Sequence, residues 1–194
     1  WYKIYEPFIR MAAGFGEASI KHDKERYEHK YEYCDLLITG SGPSGLASAY
    51  AAAKNGARVI LAEDKPRFGG SLLTSDVNIG NQTGVEWTEK IIAELKSMPN
   101  VTVKNRSQVF GYYDHNMLVM SERISDHLPK TQKYLPKQRL WYIRANEVLI
   151  SSGSIERPLV FGNNDTPGVM LSSAAKEYMK VYGCLLYTSP SPRD

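Results

Sequence analysis

The chain has 194 residues, with 24 lysines and arginines against 21 aspartates and glutamates, for a net charge of +3. A balance this even gives no electrostatic footprint for nucleic acid or a membrane surface, and neither is expected as a partner. The length suffices for one good core, and no apolar run approaches the ~20 residues needed to cross a bilayer.

The sequence begins at Trp1 without a methionine and reads as a piece of a longer protein, so any targeting signal would lie upstream. Residues 1–33 are read as a connecting arm: Trp1 to Ser19 mixes aromatics with Pro7, Gly14 and Gly16, and Lys21 to Tyr33 alternates charge with tyrosine, a solvated face. Residues 34–183 are read as a dinucleotide-binding domain. Cys34 and Cys184 stand 150 residues apart and neither forms a C-x-x-C pair. That spacing excludes a cysteine zinc site and the redox pair of a disulfide reductase. It fits two reduced thiols in an intracellular protein, cytoplasmic or of the mitochondrial matrix.

The richest segment follows. The apolar run Leu36-Leu37-Ile38 enters Gly40-Ser41-Gly42-Pro43-Ser44-Gly45, an alanine-rich helix runs to Asn55-Gly56, and a second apolar run, Val59 to Ala62, ends at Glu63. This is the pattern of a strand, a phosphate-binding turn, a helix and a second strand. Gly40 permits the tight turn, Gly42 lets backbone approach a pyrophosphate, and Gly45 allows close helix packing. The phosphates would sit on the free N–H groups and positive dipole end of the helix that Pro43 and Ser44 open. Glu63, 18 residues after Gly45, is placed to accept hydrogen bonds from both hydroxyls of an adenosine ribose. Asp64 is the neighbouring candidate. An acid here serves NAD and FAD alike, since both carry that ribose. Next, Gly69-Gly70-Ser71 offers a second place where backbone can lie against a ligand.

A helix is expected over about Val85–Met98, with Trp87, Ile91, Ile92, Leu95 and Met98 as its core stripe. Short β-runs follow at Val101–Val103, Gln108–Tyr113 and Met117–Met120, the last two joined by an Asp114-His115-Asn116 turn, which makes His115 a turn residue and not a base. A polar loop, Ser121 to Gln138, precedes runs at Leu140–Arg144 and Glu147–Ile150. The second run ends in Ser151-Ser152-Gly153, small residues that give a cofactor room to pass over the sheet. A last helix is expected over about Ser172–Tyr182. The fold class is therefore α/β: a Rossmann-like FAD/NAD(P)-binding domain with a parallel sheet and a β-meander, incomplete at its C-terminus. No residue is nominated as a catalyst and no metal-ligand set is found.

Four stretches, 1–16 (WYKIYEPFIRMAAGFG), 34–46 (CDLLITGSGPSGL), 111–116 (GYYDHN) and 155–170 (IERPLVFGNNDTPGVM), resemble the alpha subunits of heterotetrameric sarcosine oxidases, within the two-dinucleotide-binding flavoprotein superfamily. The resemblance runs to about Gly183. It implies a central fragment of a subunit, with a ferredoxin-like domain before it and a folate-binding domain after it that hands tetrahydrofolate the methylene group. It further implies NAD in this domain, FAD on a beta-type partner subunit, an FMN between the two, and oxidation of a small N-methyl or secondary amine at the partner's flavin. Related complexes take opines or proline. On this resemblance Gly40, Gly42 and Gly45 map onto the phosphate turn, Glu63 onto the ribose acid, Gly69 and Gly70 onto the paired glycines, and Ser152-Gly153 onto a strand end that normally reads Ala-Thr-Gly. Residues 184–194 (CLLYTSPSPRD) leave the pattern, as translated adaptor sequence or a disordered Pro/Ser tail. Two other functions fit the same residues: a scaffold or regulatory subunit that binds NAD without turnover, and a free-standing NAD(P)H-dependent flavin reductase.

Overall fold

The computed structural model describes residues 1–16, 20–129 and 134–184. Its centre is a six-stranded sheet built from β1 (Tyr27–Thr39), β2 (Val59–Ala62), β5 (Val101–Lys104), β6 (Ser107–Tyr113), β7 (Met117–Arg123) and β8 (Gln138–Ile150), in the order β5-β2-β1-β8-β7-β6. The first four in that order are parallel, while β7 and β6 close the edge as an antiparallel meander. A two-residue pair, β3 (Asn78–Ile79) and β4 (Gln82–Thr83), stands apart.

The apolar runs of β1 and β2 are continuous because both faces of this half of the sheet are covered. Ile38, Val59 and Leu61 point to one face, where they meet Leu46, Ala49 and Ala53 of α2 (Pro43–Lys54) and Ile91, Ile92 and Leu95 of α3 (Gly84–Ser97). Leu37, Ile60 and Ala62 point to the other, against Leu118 and Met120 of β7 and Trp141, Ile143 and Ala145 of β8. The alanines keep α2 slim, so that Leu46 and Ala49 are fully buried on the sheet. Helix α3 starts where local chemistry dictates. The Thr83 hydroxyl accepts from the Glu86 amide and the Glu86 carboxylate accepts from the Thr83 amide, a reciprocal cap.

Three segments differ from the sequence reading. Strand β1 begins at Tyr27, well inside the stretch expected as an arm, because Tyr27, His29, Tyr31 and Tyr33 alternate with charged residues at period two and pair with Gln138 to Arg144 of β8. Tyr31 and Tyr142 stack across that pair at 5.1 Å. The two runs at 140–144 and 147–150 are one strand, because β1 pairs with β8 on both sides of Asn146, whose side-chain amide donates to Asp35 at 3.1 Å on the neighbouring strand. The meander is longer than expected, with β7 reaching Arg123. Helix α1 (Tyr5–Ala12) lies in the first part of the arm and buries none of its residues. Residues 185–194 of the expected tail, and 130–133 of the expected polar loop, lie outside the described residues.

Candidate functional site: the glycine turn and its acid

Gly40, Glu63 and Ser151 sit at the carboxyl ends of β1, β2 and β8, three adjacent parallel strands. Chain connectivity goes from β1 to β2 and β5 on one side and returns through β8 on the other, so this end of the sheet is where the strand order reverses and a crevice opens.

The turn is tight because its glycines are hemmed in. Gly40 has φ +102°, and a Cβ there would lie 2.4 Å from the Ser151 carbonyl oxygen. One on Gly45 would lie 2.0 Å from the Gly40 carbonyl oxygen, so this glycine packs the start of α2 onto the turn itself. Gly42 is the opposite case, since a Cβ there would meet nothing within 4 Å. The space above Gly42 is open, which is what a group lying on the backbone needs. The first bond of α2 runs from the Leu46 amide to the Gly42 carbonyl. The amides of Ser44 and Gly45 therefore precede the helical ladder, at its positive end. Pro43 opens the helix, where its missing N–H costs nothing. Pro43 and Ser44 are exposed.

Glu63 is fixed from every side. Its amide donates to the Lys104 carbonyl at 2.9 Å, and its carbonyl accepts from the Ser107 amide at 2.7 Å. The residue is 6% exposed. Oε2 accepts from the Ser41 amide at 2.9 Å and from the Ser41 hydroxyl at 2.5 Å, and Oε1 accepts from the Lys65 amide at 3.0 Å. Burial, with Asp64 alongside, raises the Glu63 carboxyl above its ordinary value, while the donors on Ser41 and Lys65 pull it down. Asp64 itself is exposed, and its carbonyl accepts from Arg123 at 3.1 Å. Of the two acids, Glu63 is the one joined to the glycine turn.

The second glycine pair comes to the same place. The Gly69 amide donates to the Ser41 carbonyl at 3.1 Å and to its hydroxyl at 3.2 Å, and Gly70 lies so close that its Cβ would be 3.0 Å from Gly42 Cα. Ser71 follows in an exposed turn of 3-10 helix. Ser152 and Gly153 are exposed beside Gly40, with Gly153 at φ +73°. Just before them, the Ser151 hydroxyl donates into the turn, to the carbonyls of Thr39 at 3.0 Å and Gly40 at 2.8 Å. Ser41 and Ser151 are the two residues that the sequence reading passed over. The only signal was a small hydroxyl residue, inside a glycine turn for Ser41 and at a strand end for Ser151.

Comparison with known proteins follows this geometry. A family described as FAD dependent oxidoreductase matches residues 35–97, the stretch from β1 through α3. The chain is 45% identical over 183 residues to the sarcosine oxidase subunit alpha of Rhizobium meliloti (strain 1021), and 38% identical over 175 residues to that of Corynebacterium sp. (strain P-1). This chain is a homologue of sarcosine oxidase alpha subunits. The matches cover 94% and 89% of the chain and 18% of each relative's length, so it corresponds to a fragment of those subunits. Among solved structures, L-proline dehydrogenase from P. horikoshii superposes with a TM-score of 0.63 at 22% identity, covering 86% of this chain and 31% of the other, and shares the Rossmann-like flavoprotein fold.

The cysteines stay apart from this site. Both are free. Cys34 lies in the core, where burial pushes its thiol up to about 12, an unreactive state. Among the described residues, no helix is long and apolar enough to cross a membrane.

Proposed function

We propose that this chain is the dinucleotide-holding part of a sarcosine-oxidase-like oxidoreductase that oxidatively demethylates a small N-methyl or secondary amine. The observation that supports this best is the buried carboxylate of Glu63 bonded to a glycine turn whose outer side, over Gly42, is open. The adenosine diphosphate part of a dinucleotide suits these residues. The pyrophosphate would rest over Gly42 and the Ser44 and Gly45 amides, Glu63 would accept from the ribose, and Gly69-Gly70 and Ser152-Gly153 would border the path.

When bound, the dinucleotide supplies hydride and electron chemistry; the chain's own residues bind and orient it. Relationship to sarcosine oxidase alpha subunits favours NAD here, with FAD on a beta-type partner, an FMN shared between them, and a folate-binding domain elsewhere in the full-length protein. FAD in this domain is the second reading, favoured by the FAD dependent oxidoreductase match over 35–97. A scaffold that holds NAD without turnover uses the same geometry, and differs in leaving nicotinamide unreduced when amine is supplied.

The test is to express the full-length protein with its flavin-bearing partner and identify the released cofactors by mass spectrometry. NAD released from this subunit supports the first reading, and FAD alone supports the second. Neither dinucleotide, from a folded protein, overturns both. Gly42→Val fills the open space with a branched side chain and should abolish retention of the cofactor. Cofactor retained at the wild-type level by that variant removes the phosphate-turn assignment.

A further inference from the structure

Ser41 is fully buried and uses every polar atom it has on the site. Its amide and hydroxyl both donate to Glu63 Oε2, while its carbonyl and hydroxyl both accept from the Gly69 amide. The hydroxyl is therefore the one side-chain group that joins the acid at the end of β2 to the second glycine pair, across the first turn.

The arithmetic of the carboxylate gives this a consequence. An ionised carboxylate offers about four acceptor positions. Three on Glu63 are occupied by Ser41 and Lys65, and those donors also favour the charged form against its burial and against the neighbouring Asp64 carboxyl. We propose that the Ser41 hydroxyl is a positioning residue for dinucleotide binding: it holds Glu63 ionised and oriented, with acceptor capacity left on Oε1 for an adenosine ribose hydroxyl. This rests on the ribose-acid reading of Glu63. It also refines it, because a carboxylate with three protein donors has room for one ribose hydroxyl rather than an undisturbed pair.

The mechanism is indirect, so the test must separate it from loss of structure. The probes are ADP and 2′,3′-dideoxy-ADP, competing with cofactor for the cofactor-depleted full-length protein. In Ser41→Ala the amide donor to Glu63 survives, and the Gly69 amide keeps the Ser41 carbonyl. ADP affinity should fall on the order of tenfold, as expected for one hydrogen bond to a charged group, while affinity for the dideoxy compound changes little. The pH below which ADP affinity declines should also move upward, because a donor that lowers the Glu63 carboxyl has been removed. Ser41→Gly removes the hydroxyl without leaving a methyl group and should behave alike, which covers the case of an alanine variant that packs badly.

If both variants weaken the two probes equally, or leave ADP binding and its pH profile as in the wild type, the proposal is overturned. Glu63→Gln in the same assay tells the two failures apart. When it lowers ADP but spares the dideoxy compound, the ribose-acid reading stands and only the role of Ser41 falls. When it too treats the probes alike, the ribose reading itself fails.

Discussion

The glycine-turn half of the molecule and its two outer helices, α1 and α4 (Ser172–Lys180), are held by different forces. Around Gly40 to Glu63 the backbone is pinned by buried bonds and packed on both faces of the sheet. Neither α1 nor α4 buries a residue, and α4 reaches the body through two ion pairs, Lys65 to Glu177 at 2.6 Å and Lys180 to Asp76. The difference teaches where rigidity is placed. The proposed cradle for a dinucleotide is shaped by packing and short hydrogen bonds, which salt barely touches, whereas α4 rests on exposed charges that salt screens.

That contrast can be broken most severely at Leu46, fully buried where α2 meets the sheet. Leu46→Ala should cost about 2–5 kcal/mol in unfolding free energy, from lost transfer and the cavity left behind, and denaturant unfolding of the full-length protein checks it. At Glu63 the cost should fall on binding. Glu63→Gln should weaken dinucleotide affinity by about 1.5–3 kcal/mol through loss of charge-assisted bonds, measured by competition binding.

The same residue sharpens the contrast through pH. Its carboxyl is raised in the folded protein, so its contribution to stability is fully present below the unfolded value and is lost as pH rises through the folded one. On the proposed role of Glu63 as the ribose acid, dinucleotide binding needs the ionised form and runs the other way. Acidification through that window should therefore weaken binding while favouring the empty folded state at this group, which melting curves with and without dinucleotide across pH will show.

Smaller effects belong to the ends of helices. Thr83→Ala removes the reciprocal cap of α3 and should cost about 1 kcal/mol in unfolding free energy. Smallest of all, Lys180→Ala should loosen α4 by at most about 1 kcal/mol, seen as faster amide exchange in α4 and a weaker salt dependence, since the Lys65–Glu177 pair remains, with the glycine turn unchanged.

Local order in the chain determined a good deal. The strand, glycine turn, helix, strand and acid from Leu36 to Glu63 lie within a few residues of where the pattern puts them, because each is specified by neighbours: glycines where no Cβ fits, alanines that favour helix, apolar runs bounded by turn residues. The Asp114–Asn116 turn is likewise local, with His115 at φ 59° and Asn116 at φ 50° inside it. Tertiary structure alone decided what depends on a distant partner. Tyr27 to Tyr33 form strand because β8, more than a hundred residues on, offers them a ladder. Asn146 lies inside a strand because β1 pairs with β8 on both sides of it. Ser41 matters because β2 delivers a carboxylate, and the following loop an amide, to the two sides of its hydroxyl. A sequence pattern records which residues can form a turn; which of their polar atoms are buried, and against what, is settled only when the strands lie side by side.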